Sequence, residues 1–147
     1  MKSILLGFIN LIFLVLFSGC VMESEHNLGD GYYLLGNEGN TVISKRIKGR
    51  EDVYEDIILG KISDYDLNED FIILLRDASD KYNMYFESQS SLWSKQKGKG
   101  HIQYWIIEKV KNVIVGPLQK SEYVRYREKL NIPDDLTLKQ IDSLNSE

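Results

Sequence analysis

The chain has 147 residues, of which 22 are acidic and 18 basic, for a net charge of −4. That balance excludes nucleic acid as a partner, because clustered positive charge supplies most of nucleic-acid affinity. Two histidines, His26 and His101, are too few for a multi-histidine metal site, and the length is that of one domain around one core.

The N-terminal segment comes first in chain order. Lys2 supplies a positive n-region and Ser3 to Phe17 an apolar h-region of the length secretory signals carry. The run from Ile4 to Phe17 is too short to cross about 30 Å of hydrocarbon comfortably. Phe17-Ser18-Gly19-Cys20 then places small residues directly before the only cysteine. The arrangement resembles a bacterial lipoprotein signal, although Phe17 stands where an aliphatic residue is usual. On this reading residues 1–19 are removed and Cys20 is acylated. The protein is exported and held on the periplasmic or extracellular face of a bacterial membrane. Attachment of a diacylglyceryl group provides the second chain that stable anchoring requires. The thiol is consumed by the anchor, leaving no disulfide, cysteine–metal site or thiol nucleophile. Residues 20–28 are then the lipidated cysteine and a short tether, with Val21 to Leu28 reaching at most about 25–30 Å. A single globular domain is expected over residues 29–147, and no cofactor.

Apolar and β-branched clusters between turn signals predict strands through most of that domain. Tyr32 to Leu35 reads as a first strand, Gly36 to Asn40 as a turn, and Thr41 to Ser44 as a second strand. Lys45 to Asp52 is charged and reads as a loop or strand end. Val53 to Ser63 reads as a strand in which Gly60 marks a bulge. Phe71 to Leu75 is apolar without alternation, which predicts a central strand covered on both faces. Met84 to Phe86 predicts a short strand. Tyr104 to Val110 and Val113 to Val115 predict a hairpin around Lys111-Asn112.

The period then changes. Ser121 is positioned to cap a helix with Glu122 in its first turn, and Tyr123, Tyr126 and Leu130 fall on one face. Pro133 follows its end. Thr137 to Gln140 fits a capping box, with Leu138, Ile141 and Leu144 as a second apolar stripe. The expected class is α+β: one antiparallel sheet of about five to seven strands with the C-terminal helix packed on it.

Chemical motifs are sparse. Asp64 to Asp70 alternates oxygen-bearing side chains, but Glu69 and Leu75 stand where a calcium loop needs glycine and a bidentate glutamate, so a solvated turn is expected. Glu51, Asp52, Glu55 and Asp56 form a second acidic cluster, read as a charged loop, since glycoside cleavage needs two carboxylates held about 5–10 Å apart in a cleft. Ser94-Lys95-Gln96-Lys97 matches Ser-x-x-Lys without the companion motifs of penicillin-recognising enzymes. Lys95, Lys97 and Lys99 form a basic loop, read first as a solvated connector. Close to an anionic membrane, each lysine gains about 1 kcal/mol. Among the aromatics, Trp105 is expected in the core. Trp93, in a polar stretch, is the best candidate for an interaction surface.

Three phrases carry a resemblance: Leu28-Gly29-Asp30-Gly31-Tyr32, then Tyr104 to Glu108 with Gly116-Pro117-Leu118 and Tyr123, then Ile132-Pro133 through Leu138. Together they resemble a family of small bacterial lipoproteins of unknown function, over nearly all of the chain beyond the signal. The resemblance implies the anchor and the fold and transfers no catalytic residue. The function expected is that of a non-enzymatic envelope lipoprotein, a binding or structural module with a protein partner in the envelope. The alternative is an inhibitor or immunity protein that neutralises a toxin or lytic enzyme there, with acidity and tyrosine content suited to a basic cleft.

Overall fold

Nine strands form two antiparallel sheets in the computed structural model, which describes residues 24–37, 40–50, 52–78 and 100–141. The first sheet is a meander of β1 (Ser24–Gly29), β2 (Tyr32–Asn37), β3 (Asn40–Arg46) and β4 (Tyr54–Leu59). The second sheet holds β5 (Lys61–Leu67), β6 (Phe71–Asp77), β7 (Ile102–Glu108), β8 (Val113–Leu118) and β9 (Lys139–Gln140), in the order β8-β7-β6-β5-β9. A helix, α1 (Lys120–Lys129), follows β8. Cys20, Trp93, Lys95, Lys97, Lys99, the Ser94–Lys97 motif and the strand expected at Met84–Phe86 lie outside the described residues.

The α+β class expected from the sequence is what forms, with more strands than expected and two sheets in place of one. Gly60 is the main reason. Expected as a bulge within one strand, it sits buried at φ +119° and passes the chain from β4 in the first sheet to β5 in the second. A residue with a Cβ rarely adopts that backbone angle. The corner is tied by Thr41, whose Oγ1 accepts from the Ile62 N–H at 2.7 Å. Ser24 to Leu28, expected to be tether, pairs with β2 as β1 instead. Its single fully covered apolar residue, Leu28, is too weak a pattern to announce a strand.

The central strands β6 and β7 carry a core on each face, as the unbroken apolar run from Phe71 predicted. Successive side chains of a strand take opposite faces. Ile72 and Leu74, with Trp105 and Ile107 of β7, meet Tyr32, Leu34, Ile43 and Ile58 of the first sheet. Phe71, Ile73 and Ile106 point the other way and meet Tyr123 of α1 with Ile132 and Leu136 beyond it. The order is therefore sheet, sheet, helix. Each fully buried aliphatic side chain contributes about 1.5–3 kcal/mol relative to exposure.

The helix buries Tyr123 and half-buries Tyr126 and Leu130 on the face their spacing predicted, with Tyr123 stacked on Tyr104 at 4.9 Å. Its cap is Gln119 rather than Ser121: the Gln119 N–H donates to the Glu122 carboxylate at 3.0 Å. Arg127 fastens the chain beyond the helix by donating to the Leu136 and Pro133 carbonyls, both at 2.7 Å. Thr137 to Gln140 is not the capping box expected, since residues 137–140 are not helical; Ile141 is helical, and Leu144 of the expected second stripe lies outside the described residues. Lys139–Gln140 pairs with β5, and Asp66 accepts from the Thr137 N–H at 3.1 Å and pairs with Lys139 at 3.0 Å.

Gly116-Pro117 does not end β8. The two residues form a bulge opposite Trp105, joined by a cis peptide, and pairing resumes at Leu118. A bulge is where proline's missing donor costs nothing in the ladder.

Candidate functional site

The two ends of the molecule differ, and the pairing registers define them. Ser24 lies opposite Gly36, Gly36 opposite Thr41, Lys61 opposite Asp77 and Asp77 opposite Ile102. With the Gly60 corner, these make one end. The far end holds the β1–β2 and β3–β4 turns and the β7–β8 hairpin. There the sheets are joined by polar contacts: buried Lys109 donates from Nζ to the Leu28 carbonyl at 3.2 Å, and the Tyr32 hydroxyl donates to Asn112 Oδ1 at 2.6 Å. Lys45 donates to the same Asn112 oxygen and lies over the Tyr32 ring.

The far end also carries the site that the chemistry favours. Lys45-Arg46-Ile47-Lys48-Gly49-Arg50 puts four cations in six residues of an acidic chain. Arg46 closes β3 and is held from several sides. Its backbone N–H donates to the Gly31 carbonyl at 2.8 Å. Its guanidinium lies 4.6 Å from the Tyr33 ring centre and 5.5 Å from that of Tyr54, and donates to the Tyr54 hydroxyl at 3.1 Å. Tyr33 and Tyr54 meet edge to face at 5.2 Å, the geometry that aromatic quadrupoles prefer. The Tyr54 hydroxyl in turn donates to Glu25 at 3.0 Å. The Tyr54 hydrogen bond, more than the charge of Glu25, holds the Arg46 guanidinium above its ordinary basicity. The Arg46–Glu25 pair itself is long, at 3.9 Å, and exposed, so it contributes little to stability.

The loop beyond Arg46 is a hydrogen-bonded turn. The Arg50 N–H donates to the Ile47 carbonyl at 3.0 Å, and the Ile47 N–H donates to the Val53 carbonyl at 2.9 Å. Gly49 takes φ +83°, the sign a type II turn needs at its third residue. Gly31, Arg46, Ile47, Lys48, Gly49 and Arg50 line an open pocket of about 220 Å³. The Lys48 and Arg50 side chains are exposed and make no ion pair among the described residues.

The sequence marked this stretch only as charged loop or strand end. The density of cations against an acidic background was the available signal; the Tyr33–Arg46–Tyr54 stack depends on cross-strand register. The acidic residues singled out earlier do not converge. Glu55 lies opposite Lys45 and is exposed, while Asp56 accepts from the Ser44 hydroxyl at 2.8 Å; Glu51 lies outside the described residues. Asp64 and Asp66 belong to β5, and Asn68 Oδ1 accepts from the Asp70 and Phe71 N–H groups, closing the β5–β6 turn. Among the described residues, no three of His, Cys, Asp and Glu gather as a metal site. Trp105 is in the core, 4 % exposed, as expected.

Residues 29–142 match the family model described as protein of unknown function (DUF3997). No curated protein and no solved structure matches the chain.

Proposed function

We propose that this chain, which belongs to the DUF3997 family of proteins of unknown function, is a non-enzymatic binding module tethered to the outside of a bacterial membrane through acylated Cys20. One observation carries the reading: the end of the molecule nearest the proposed anchor is opposite the end that carries the Arg46 pocket. β1 begins at Ser24, four residues after Cys20, a reach of about 13 Å. The tether is accordingly shorter than the eight residues the sequence suggested. From Ser24 the first sheet extends away to the turns at Gly29–Tyr32 and Ile47–Val53, about 17 Å further along. The anchored molecule then stands on the Ser24 end and displays the basic tip.

On the same reading the basic loop of Lys95, Lys97 and Lys99, which lies outside the described residues, adds attraction to an anionic bilayer, each lysine near it contributing about 1 kcal/mol.

The test is mass spectrometry of the mature N-terminus from membrane fractions of cells expressing the wild type or Cys20→Ala. Acylated Cys20 with release or non-processing of the variant is the expected result. An unmodified N-terminus, or a wild type found in the soluble fraction, would overturn the anchor and the orientation with it.

A further inference from the structure

We infer that the outer edge of β8 is a docking site for an extended segment of a partner protein, a short uncharged run with acidic residues at its two ends. β8 closes the five-stranded sheet, with β7 on one side and no strand on the other. Among the described residues, Val113, Ile114 and Val115 make no backbone hydrogen bond beyond their pairing with β7. Alternate residues of such a strand point their N–H and C=O groups outward, where another chain can pair with them. Val113 and Ile114 are 42 % and 37 % exposed, and Val110, at the tip of the hairpin, is 76 % exposed. An added strand would cover apolar side chains together with unspent backbone groups.

Folded proteins guard open sheet edges with charges, proline, bulges or very short strands, and the other edges here are guarded. β1 carries exposed Glu25 beside His26, and β4 carries Glu55 and Asp56 in its middle. β9 is two residues long, with Lys139 tied to Asp66. In β8 the bulge and Pro117 blunt only the second half; Val113–Val115 holds neither a charge nor a proline. The hairpin is also fixed, by Tyr32 and Lys45 on Asn112 and by Lys109 on the Leu28 carbonyl, so little ordering cost falls on it when a strand arrives. Charge then specifies the ends of the occupant. From Lys109 to Lys120 there are three lysines and no acidic residue, in a chain of net charge −4. Lys109 is buried, whereas Lys111 before the strand and Lys120 after it are exposed. Lys111 meets Glu108 at 2.6 Å yet keeps 69 % of its side chain in solvent. The six residues of β8 between them span about 20 Å. A segment with an acidic residue at each end of a similar length matches both lysines, and opposite charges across neighbouring strands attract.

That the partner is met outside the membrane rests on the tethered binding module proposed above; the open edge does not. The experiment therefore uses the full chain in zwitterionic nanodiscs, in both the wild-type and Cys20→Ala forms. The probe is a synthetic peptide of alternating valine and threonine with a glutamate at each end. Backbone amide resonances are followed as it is added. Saturable shifts centred on Val113–Val115, with slower amide exchange there, are expected. Affinity should fall at least tenfold in Val113→Lys/Ile114→Lys, with the circular dichroism of the wild type retained. A second comparison leaves the strand untouched: the wild type should bind this peptide at least tenfold more tightly than one ending in lysines. Lys120→Glu should shrink that preference severalfold. Shifts absent from β8 at millimolar peptide, equal affinity for the two peptides, or a double variant that binds as the wild type does would each overturn the site. A sedimenting mass that doubles without peptide, and reverts in the double variant, would overturn the partner segment in favour of a second copy of this chain. Peptide binding by a protein whose Cys20 proves unmodified would retain the edge and remove only its location. Acylated Cys20 without peptide binding would overturn the edge and leave the anchor standing.

Discussion

At Gly116 a β-carbon would stand 2.3 Å from Cε3 and 2.4 Å from Cδ2 of Trp105, on a backbone with φ +155°. The Trp105 ring occupies the space a side chain would need, and it belongs to the core between the sheets, so it has little room to retreat. Gly116→Ala should cost about 2–5 kcal/mol, combining overpacking with backbone strain. Gly31→Ala meets no atom within 4 Å and carries only the strain of φ +79°, about 1–2 kcal/mol. Urea midpoints of the two variants should differ in that order; equal losses would contradict the contact with Trp105.

Tyr123 makes a second residue-level prediction. Burial raises its pKa, against the lowering influence of Arg127, which donates to its hydroxyl at 3.2 Å; burial and then Asp66 raise that of Tyr65. Both rings therefore hold their protons longer when folded than unfolded. Their contribution is intact below pH 10, the ordinary tyrosine value, and is lost as pH rises above it. Arg76 acts oppositely: burial lowers it to about 10, so the unfolded chain binds more protons above that pH and stability rises. Tyr123→Phe removes one term of the first kind. Its stability should fall less steeply above pH 10 than the wild type's, in equilibrium denaturation repeated across that range.

Among the elements, α1 and the chain after it depend on Arg127 more than on helix propensity. Ten residues are too few to form a stable helix alone, so docking on β6 and β7 must supply the stability. Docking uses Tyr123 against Tyr104, and the return of the chain uses Arg127 on the Pro133 and Leu136 carbonyls. Arg127→Met keeps most of the side chain's bulk and removes the donors. It should cost about 1–3 kcal/mol and speed amide exchange at Leu136, whose N–H donates to Pro133 at 3.2 Å. Exchange unchanged there would mean that Leu138 and Ile132 seat the segment without it.

For the whole molecule, the shared pair of strands matters most. Ile72 faces the first sheet and Ile73 faces the helix, and both are fully buried. Neither core can open without disturbing β6 and β7, so the two should melt as one unit. Ile72→Ala and Ile73→Ala should each cost about 2–5 kcal/mol. In both variants, made on a Trp93→Phe background so that Trp105 alone reports the sheet–sheet core, fluorescence should coincide with far-ultraviolet circular dichroism through the transition. Separate transitions would show that the helix layer unfolds on its own.

What was legible in the sequence was whatever depends on local pattern. The unbroken run Phe71–Leu75 told of a strand covered twice, because both of its faces had to be apolar. The 3.6-residue spacing of Tyr123, Tyr126 and Leu130 told of the helix and its inner face, and Lys111-Asn112 of the hairpin turn. The basic stretch Lys45–Arg50 could be seen as charged, but its use could not, since Arg46 is shaped by Tyr33 and Tyr54 on neighbouring strands. Pairing across strands is a long-range choice that no single segment encodes. For the same reason only the tertiary structure decided that Gly60 divides two sheets, that Ser24–Gly29 joins the first of them, and that Gly116 yields its space to Trp105. Each of these depends on which atoms from distant parts of the chain compete for the same volume.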